Sequence, residues 1–337
     1  MNILKNISLL EYNSFGIDVR TKYFADYQTI EMLNELLESD IVKSEKLLHI
    51  GGGNNLLFIS DFQGVILHSQ IKFIKVTEED SDTISLKVGS GVIWDDFVNY
   101  CVINNYCGAE NLSGIPSEVG AAAVQNIGAY GAEISEIIKS VETVDIQTLE
   151  KQTFTNSDCK YGYRTSVFKT DFKAKKIVTS VEFLLSKKPK FNLSYTNLEN
   201  EILQNFPQTN LANIRATIIS IRERKLPNPK ILGNAGSFFK NPYINFKQFE
   251  RLKNDFPTIQ YFPVNQDIVK IPAAWLIEQC GWKGKSLKGA AVYEKNPLVL
   301  VNQCNTNGAD IFSIAKEIQK SVMEKFYIDL EAEVEVI

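Results

Sequence analysis

The chain has 337 residues, 44% hydrophobic and 23% charged, which excludes a disordered chain and predicts about two or three packed domains. A net charge of −4 argues against a protein built to coat nucleic acid, while leaving room for a local basic pocket for phosphates. No uncharged apolar run reaches the ~18 residues of a membrane helix, so no membrane insertion is expected. The stretch from Met1 to Glu11 is too interrupted for a signal peptide.

In chain order, Ile30, Leu33, Leu36 and Leu37 have helical spacing, and Leu47-Leu48-His49-Ile50 reads as a short buried strand stopped by glycines. The following Gly51-Gly52-Gly53-Asn54-Asn55 is either a tight surface turn or a nest of backbone N–H groups for phosphate oxygens. It is not GxGxxG and no helix start follows it, which disfavours a Rossmann site. Ile84 to Val88 predicts a strand alternating in and out. Trp94, Phe97, Val98, Cys101 and Val102 line one face of a helix.

The segment from Ser113 to Gly131 consists mostly of small residues and lets backbone wrap a large flat ligand; the alternative, a small-residue helix contact, covers only Gly120 to Val124. Val141 to Thr148 and Ile177 to Leu185 are further strand candidates. The polar Ser186 to Lys190 marks a change of element or a domain edge. Lys225-Leu226-Pro227-Asn228-Pro229-Lys230 marks another, because its prolines end the helix before it.

Gly284-Lys285-Ser286 fails as a P-loop, since Gln279 stands where the first glycine is needed. A helix is expected over Asp310 to Phe326, with Ile311, Ile314, Ala315, Ile318 and Val322 on one face. The chain then ends in an alternating strand, Leu330 to Ile337. The fold class is α+β: two αβ parts forming a nucleotide site, then a smaller αβ domain. Five cysteines without a CxxC pair read as reduced thiols of a cytoplasmic protein. His49 and His68 lack partners at metal spacing, so no metal site is expected, and His49 reads as a packed or hydrogen-bonded strand residue.

Several segments, in order and spacing, resemble one family through nearly the whole chain. They are Asn13 to Ile17, Gly51 to Phe58, the small-residue stretch, Tyr161-Gly162-Tyr163-Arg164-Thr165-Ser166, Lys225 to Lys230, Gly233 to Pro242, Ala274 to Glu278 and Leu330 to Val334. Together they resemble the UDP-N-acetylenolpyruvoylglucosamine reductases, also called UDP-N-acetylmuramate dehydrogenases. The departures are Asn54, where serine is more usual, and Ser117, where glycine is.

The resemblance implies a two-part FAD-binding module of the vanillyl-alcohol-oxidase type plus a smaller C-terminal αβ substrate domain. The expected division is 1–70 for the first FAD-binding subdomain, 71–225 for the second and 226–326 for the substrate domain, with 327–337 returning as a strand near the active site. It implies noncovalent FAD, held by Gly51, Gly52, Gly53, Asn54, Asn55, Leu56, Ile115, Pro116, Ser117, Gly120, Asn126, Gly128, Ala129, Tyr130 and Gly131. NADPH is the implied hydride donor and a UDP-sugar the substrate, with no nucleic-acid partner and a monomer or weak oligomer as the assembly.

For catalysis it implies Arg164 on the substrate carboxylate, Ser237 as proton donor to the enolate carbon, and Glu333 polarising the enolate with Arg164. Lys225, Asn241 and Tyr195 would contact the UDP-sugar, with Tyr195 on a loop that closes over the nucleotide in one branch of the family. The residues alone favour blander readings. Arg164 suits a solvated turn, Ser237 a helix cap or turn, and Glu331, Glu333 and Glu335 a solvated face of the last strand, where periodicity does not choose among them. Two other functions compete: another FAD oxidase, which would often tether its flavin through a histidine or cysteine, and a nucleotide-sugar binding protein that has lost catalysis.

Overall fold

The computed structural model describes residues 2–195 and 197–337. The chain divides into two compact units that interleave in sequence. One contains Met1–Ile7, Thr21–Gly52 and Gln63–Arg222, and the other Ser8–Arg20, Gly53–Phe62 and Glu223–Ile337.

Among the described residues the first unit holds a four-stranded sheet, a five-stranded sheet and a two-stranded pair, Gly128–Ala129 with Ala132–Glu133. Its four-stranded sheet runs in the order Leu4–Ser8, Arg20–Tyr27, Phe62–Ser69, Leu47–Ile50. Leu47–Ile50 forms as expected, pairing parallel with Phe62–Ser69 so that Ile50 stands opposite His68 at the mouth of the glycine turn. The helix Ile30–Glu38 starts at Thr29, whose side chain accepts from the Met32 N–H, and buries Leu33, Leu36 and Leu37.

The second sheet is five-stranded and antiparallel, in the order Lys151–Thr155, Ile138–Asp145, Lys176–Ser186, Thr83–Gly89, Ile74–Glu79. The helix Trp94–Ile103 buries the predicted face, Trp94, Phe97, Val98 and Cys101, while Val102 is only half-buried. Phe97 stacks on Phe183 at 4.6 Å and Trp94 packs against both rings. Each ring so buried stabilises the unit by roughly 1.5–3 kcal/mol.

Two strand expectations need correction here. Thr83–Gly89 does not alternate cleanly, because its interior place in the sheet buries Ser85 along with Ile84, Leu86 and Val88. The strand expected at Val141 to Thr148 is Ile138–Asp145. It stops where the Asp145 carboxylate accepts from the N–H groups of Gln147 and Thr148, turning the chain.

In the second unit a four-stranded sheet runs Gly233–Ser237, Val299–Asn302, Ala290–Val292, Ser286–Leu287. The helix Gly308–Phe326 packs Ile311, Ile314, Ala315, Ile318 and Val322 inward as the periodicity predicts. The Asn307 side chain caps it by accepting from the Asp310 N–H.

The expected strand from Leu330 to Ile337 is not continuous. Only Glu335–Val336 is a strand, paired parallel with Leu56–Leu57. Residues 331–333 are drawn instead onto the segment after Ser237. Lys240 N–H donates to Glu331 O at 2.9 Å, Ala332 bridges Phe239, and Glu333 N–H donates to Phe238 O at 2.8 Å. The three glutamates therefore do not share one strand face. Among the described residues no helix is long and apolar enough to cross a membrane.

Candidate active site

Gly51 and Gly52 belong to the first unit, where the glycine turn meets the small-residue segment. A Cβ on Gly51 would stand 3.0 Å from Ala121 Cβ and 3.2 Å from Glu118 Oε2, so the turn lies bare against the start of the helix Val119–Gln125. That helix packs closely too, since a Cβ on Gly120 would come within 2.8 Å of Ser90 Cβ. The small-residue helix contact and the expected bare backbone are thus both present. Ile115 packs on the core, Pro116 is exposed, and Ser117 O accepts from the Trp94 N–H at 2.9 Å.

Beyond the helix, Asn126 takes φ +47° and its buried side chain holds the turn, donating to Gly162 O and Glu133 and accepting from the Ser135 N–H. Its side chain therefore positions Ile127 to Gly131. Gly128 and Ala129 form a short strand with Ala132 and Glu133. Tyr130, at φ +51°, offers its carbonyl to Asn111, and Asn111 also donates to Asn192 O, at 2.8 Å each. Asn192 in turn donates to Gly131 O at 2.8 Å, and the Tyr195 ring meets the Tyr130 ring edge-on at 5.2 Å. The Tyr195 loop is thereby fastened to the Tyr130–Gly131 turn.

Arg164 sits in a two-residue turn closed by reciprocal backbone bonds between Gly162 and Thr165, 3.1 Å each. It adopts φ +56°, a conformation that costs a non-glycine residue about 1 kcal/mol or more and is often kept where a side chain has a task. Its Nη2 donates to Gly128 O at 2.7 Å, and the guanidinium lies 5.6 Å from the Tyr163 ring centroid.

Sequence reasoning missed a second guanidinium here. Arg222 donates to Gly114 O at 3.0 Å; burial lowers its pKa, with Tyr130 and Asp95 raising it and Arg164 lowering it further. Arg215, two turns earlier on the helix Leu211–Lys225, holds Asp95 through both carboxylate oxygens at 2.6 and 2.8 Å, and Asp95 also accepts from the Gly114 N–H at 2.6 Å. The seven-residue spacing of Arg215 and Arg222 on one helix face was the signal available.

In the second unit Gly53 is confined, since a Cβ there would stand 1.8 Å from Tyr12 O. Asn54 O accepts from Ser14 Oγ, Asn55 Nδ2 donates to Glu333 O at 2.8 Å, and Leu56 pairs with Glu335. Ser237 ends the strand Gly233–Ser237 after a bulge. Buried Asn234 shapes that bulge by accepting from the Gly236 N–H and donating to the carbonyls of Pro227 and Leu232. Phe238 and Phe239, next along the chain, are anchored in the core.

Because Glu333 N–H bonds Phe238 O, Ser237 and Glu333 come from neighbouring stretches of chain, both half-buried. Asn241 accepts from the Ala273 N–H at the start of the helix Ala273–Gln279, and Lys225 is exposed. Of the predicted residues, the first unit thus gathers Arg164, Gly128, Tyr130 and Tyr195. The second gathers Ser237, Glu333 and Asn55.

Similarity to known proteins falls in two stretches of the sequence. A family profile described as an FAD binding domain matches residues 23–148, and one described as the C-terminal domain of UDP-N-acetylenolpyruvoylglucosamine reductase matches 228–337. The UDP-N-acetylenolpyruvoylglucosamine reductase of Bacteroides fragilis strain YCH46 is 48% identical over 98% of both chains, and that of Porphyromonas gingivalis strain W83 is 43% identical over the full length of both. The crystal structure of the Thermus caldophilus enzyme of that name shares the fold, with a TM-score of 0.70 over 100% of this chain and 99% of its own at 21% identity. From end to end, then, this chain belongs to the UDP-N-acetylenolpyruvoylglucosamine reductase family.

Proposed function

We propose that Arg164, Ser237 and Glu333 carry the reduction for which this family is named. The chain is a flavin-dependent oxidoreductase that draws hydride from NADPH. It converts UDP-N-acetyl-3-O-(1-carboxyvinyl)-glucosamine to UDP-N-acetylmuramate in peptidoglycan precursor synthesis. The residues fit a flat dinucleotide, since the turns at Gly51 and Gly128 are bare backbone, where even a Cβ would sit tightly, 3.0 Å from Ala121 Cβ and from Ala132 O respectively. We assign Gly51 to Leu56, Ile115 to Ser117, Gly120, Asn126 and Gly128 to Gly131 to holding FAD, without a covalent tether. When bound, FAD supplies the hydride chemistry that no side chain possesses.

Hydride addition to the terminal carbon of the enolpyruvyl group leaves an enolate conjugated with the carboxylate. The Arg164 guanidinium, planar and always charged, stabilises that growing charge better than a lysine would. Ser237 Oγ then gives its proton to the enolate carbon, and Glu333 polarises the carboxylate from the adjoining stretch of chain, a role that requires it protonated or hydrogen-bonded because two bare carboxylates repel. Tyr195, Lys225 and Asn241 hold the phosphates and sugar, with Tyr195 closing over them as in the tyrosine-loop branch. The observation that most supports the reading is the ladder between 238–240 and 331–333, which sets Glu333 beside the residue after Ser237.

The same proposal keeps the functional division at 1–70, 71–225 and 226–326, with 327–337 serving the active site. It includes a cytoplasmic location, where NADPH and nucleotide sugars are kept, and a monomer or weak oligomer in solution. The absorbance spectrum of the purified protein tests its base. Yellow protein that bleaches with NADPH and recovers its colour on adding the enolpyruvyl substrate is expected. A colourless protein that does not take up FAD overturns it.

A further inference from the structure

Behind the glycine turn lies a charge arrangement that the reduction does not use. His68, on the strand Phe62–Ser69, stands opposite Ile50, the residue before Gly51. Its Nδ1 is 2.8 Å from Asp26 Oδ1 and its Nε2 is 2.9 Å from Glu118 Oε1. Glu118 immediately precedes the helix Val119–Gln125, and its other oxygen, Oε2, comes within 3.2 Å of the point where a Cβ on Gly51 would stand. One carboxylate therefore touches the histidine with one oxygen and faces the bare turn with the other.

We propose that His68 is a positioning residue for FAD, a cation held between Asp26 and Glu118 that offsets the Glu118 charge beside the turn receiving the diphosphate. The inference rests on the assignment of the Gly51 turn and the Ile115 to Gly131 segment to holding FAD. A carboxylate is an acceptor only, so an imidazole flanked by two of them bonds both when each ring nitrogen carries a proton. Burial works against that charge, but Glu118 and then Asp26 outweigh it, and the His68 pKa stands above its ordinary value. Gln70 Nε2, itself a donor, lies 3.1 Å from Nδ1, so with Nδ1 protonated the ring donates there to Asp26 and makes no hydrogen bond with the amide nitrogen. Of the other titratable groups packed nearby, His49 on Leu47–Ile50 bonds the Tyr27 hydroxyl at 2.7 Å and is held neutral by burial and by His68 itself. The Tyr27 hydroxyl also stays protonated, its pKa raised by burial and by Glu118. The helix Val119–Gln125 carries no ionisable side chain. Loss of the His68 proton would leave Glu118 uncompensated beside the turn assigned to the diphosphate, and a like charge at such range weakens binding by about tenfold or more.

The test follows flavin fluorescence as FAD leaves the diluted holoprotein, from about pH 6 to about pH 9, where both an ordinary and a raised histidine titrate. Release by the wild type should speed up about tenfold as pH rises. His68→Gln should release FAD fast at every pH, and adding Glu118→Gln to it should restore slow, pH-independent release. Glu118→Gln alone should also lose the pH dependence, which keeps the test open if His68→Gln does not fold. A pH-independent wild type, or a double variant as leaky as His68→Gln, overturns the proposal and leaves His68 a packing residue. Photolabelling the wild type with an azido-FAD separates the two levels. Label outside the Gly51 turn and the Ile115 to Gly131 segment overturns the reading of the FAD site itself. Label within them together with unmoved variants overturns only the role of His68.

Discussion

Tyr195 shows how a single side chain can be assigned a task its own surroundings only half explain. It is exposed, yet its loop is tied down through Asn192 to Gly131 and its ring rests on Tyr130. A residue held that firmly at the surface without being buried is available to a ligand. If its hydroxyl bonds a substrate phosphate, Tyr195→Phe removes one charge-assisted hydrogen bond of about 1.5–3 kcal/mol. Affinity for the UDP-sugar, measured by titration, should fall about tenfold or more, while bleaching by NADPH stays near the wild-type rate. Unchanged affinity would mean that the loop only braces the Tyr130 turn.

At the scale of elements, what could be read from the sequence was whatever depends on local pattern. Leu47–Ile50 was legible because three apolar residues around His49 run into glycines, and Gly308–Phe326 because its apolar residues recur at helical spacing. The same helix offers a local test. Asn307→Ala removes the side-chain cap on the Asp310 N–H and should destabilise the second unit by about 1 kcal/mol in urea unfolding. No measurable loss would mean that water caps the helix as well. The last strand misleads because its alternation is real while its partner is distant: 331–333 bond to 238–240 and only Glu335–Val336 pair with Leu56–Leu57. The candidate site divides in the same way. Arg164, Ser237 and Glu333 were carried by a family resemblance, since each alone reads as an ordinary turn or surface group. The Arg222 and His68–Glu118 contacts join residues more than forty positions apart; the spacing of Arg222 from Arg215 hints at a shared helix face, but no local pattern announces either contact.

For the molecule as a whole, pH should act through its two histidines with opposite signs. Burial, aided by the His68 charge, depresses His49 to about 3. An unfolded chain would take up that proton near pH 6.5, so stability falls as pH drops from there towards 3, by on the order of 1 kcal/mol per pH unit. His68, with its raised pKa, contributes stability that is full below about pH 6.5 and is lost as pH rises through its folded value. His49→Gln should flatten the acid side in urea unfolding at about pH 5 and pH 7; an acid loss equal to the wild type's would assign it to carboxylates instead. Function makes a sharper demand, because the two halves of the reaction need different groups. Flavin bleaching by NADPH needs no proton from Ser237, whereas product formation needs one at the enolate carbon. Stopped-flow absorbance of Ser237→Ala, first with NADPH and then with the enolpyruvyl substrate, tests this most directly. Bleaching near the wild-type rate with recovery of colour slowed about 10²-fold or more is the predicted result. Recovery at the wild-type rate, or collapse of both steps together, would contradict the assignment of Ser237 as the proton donor.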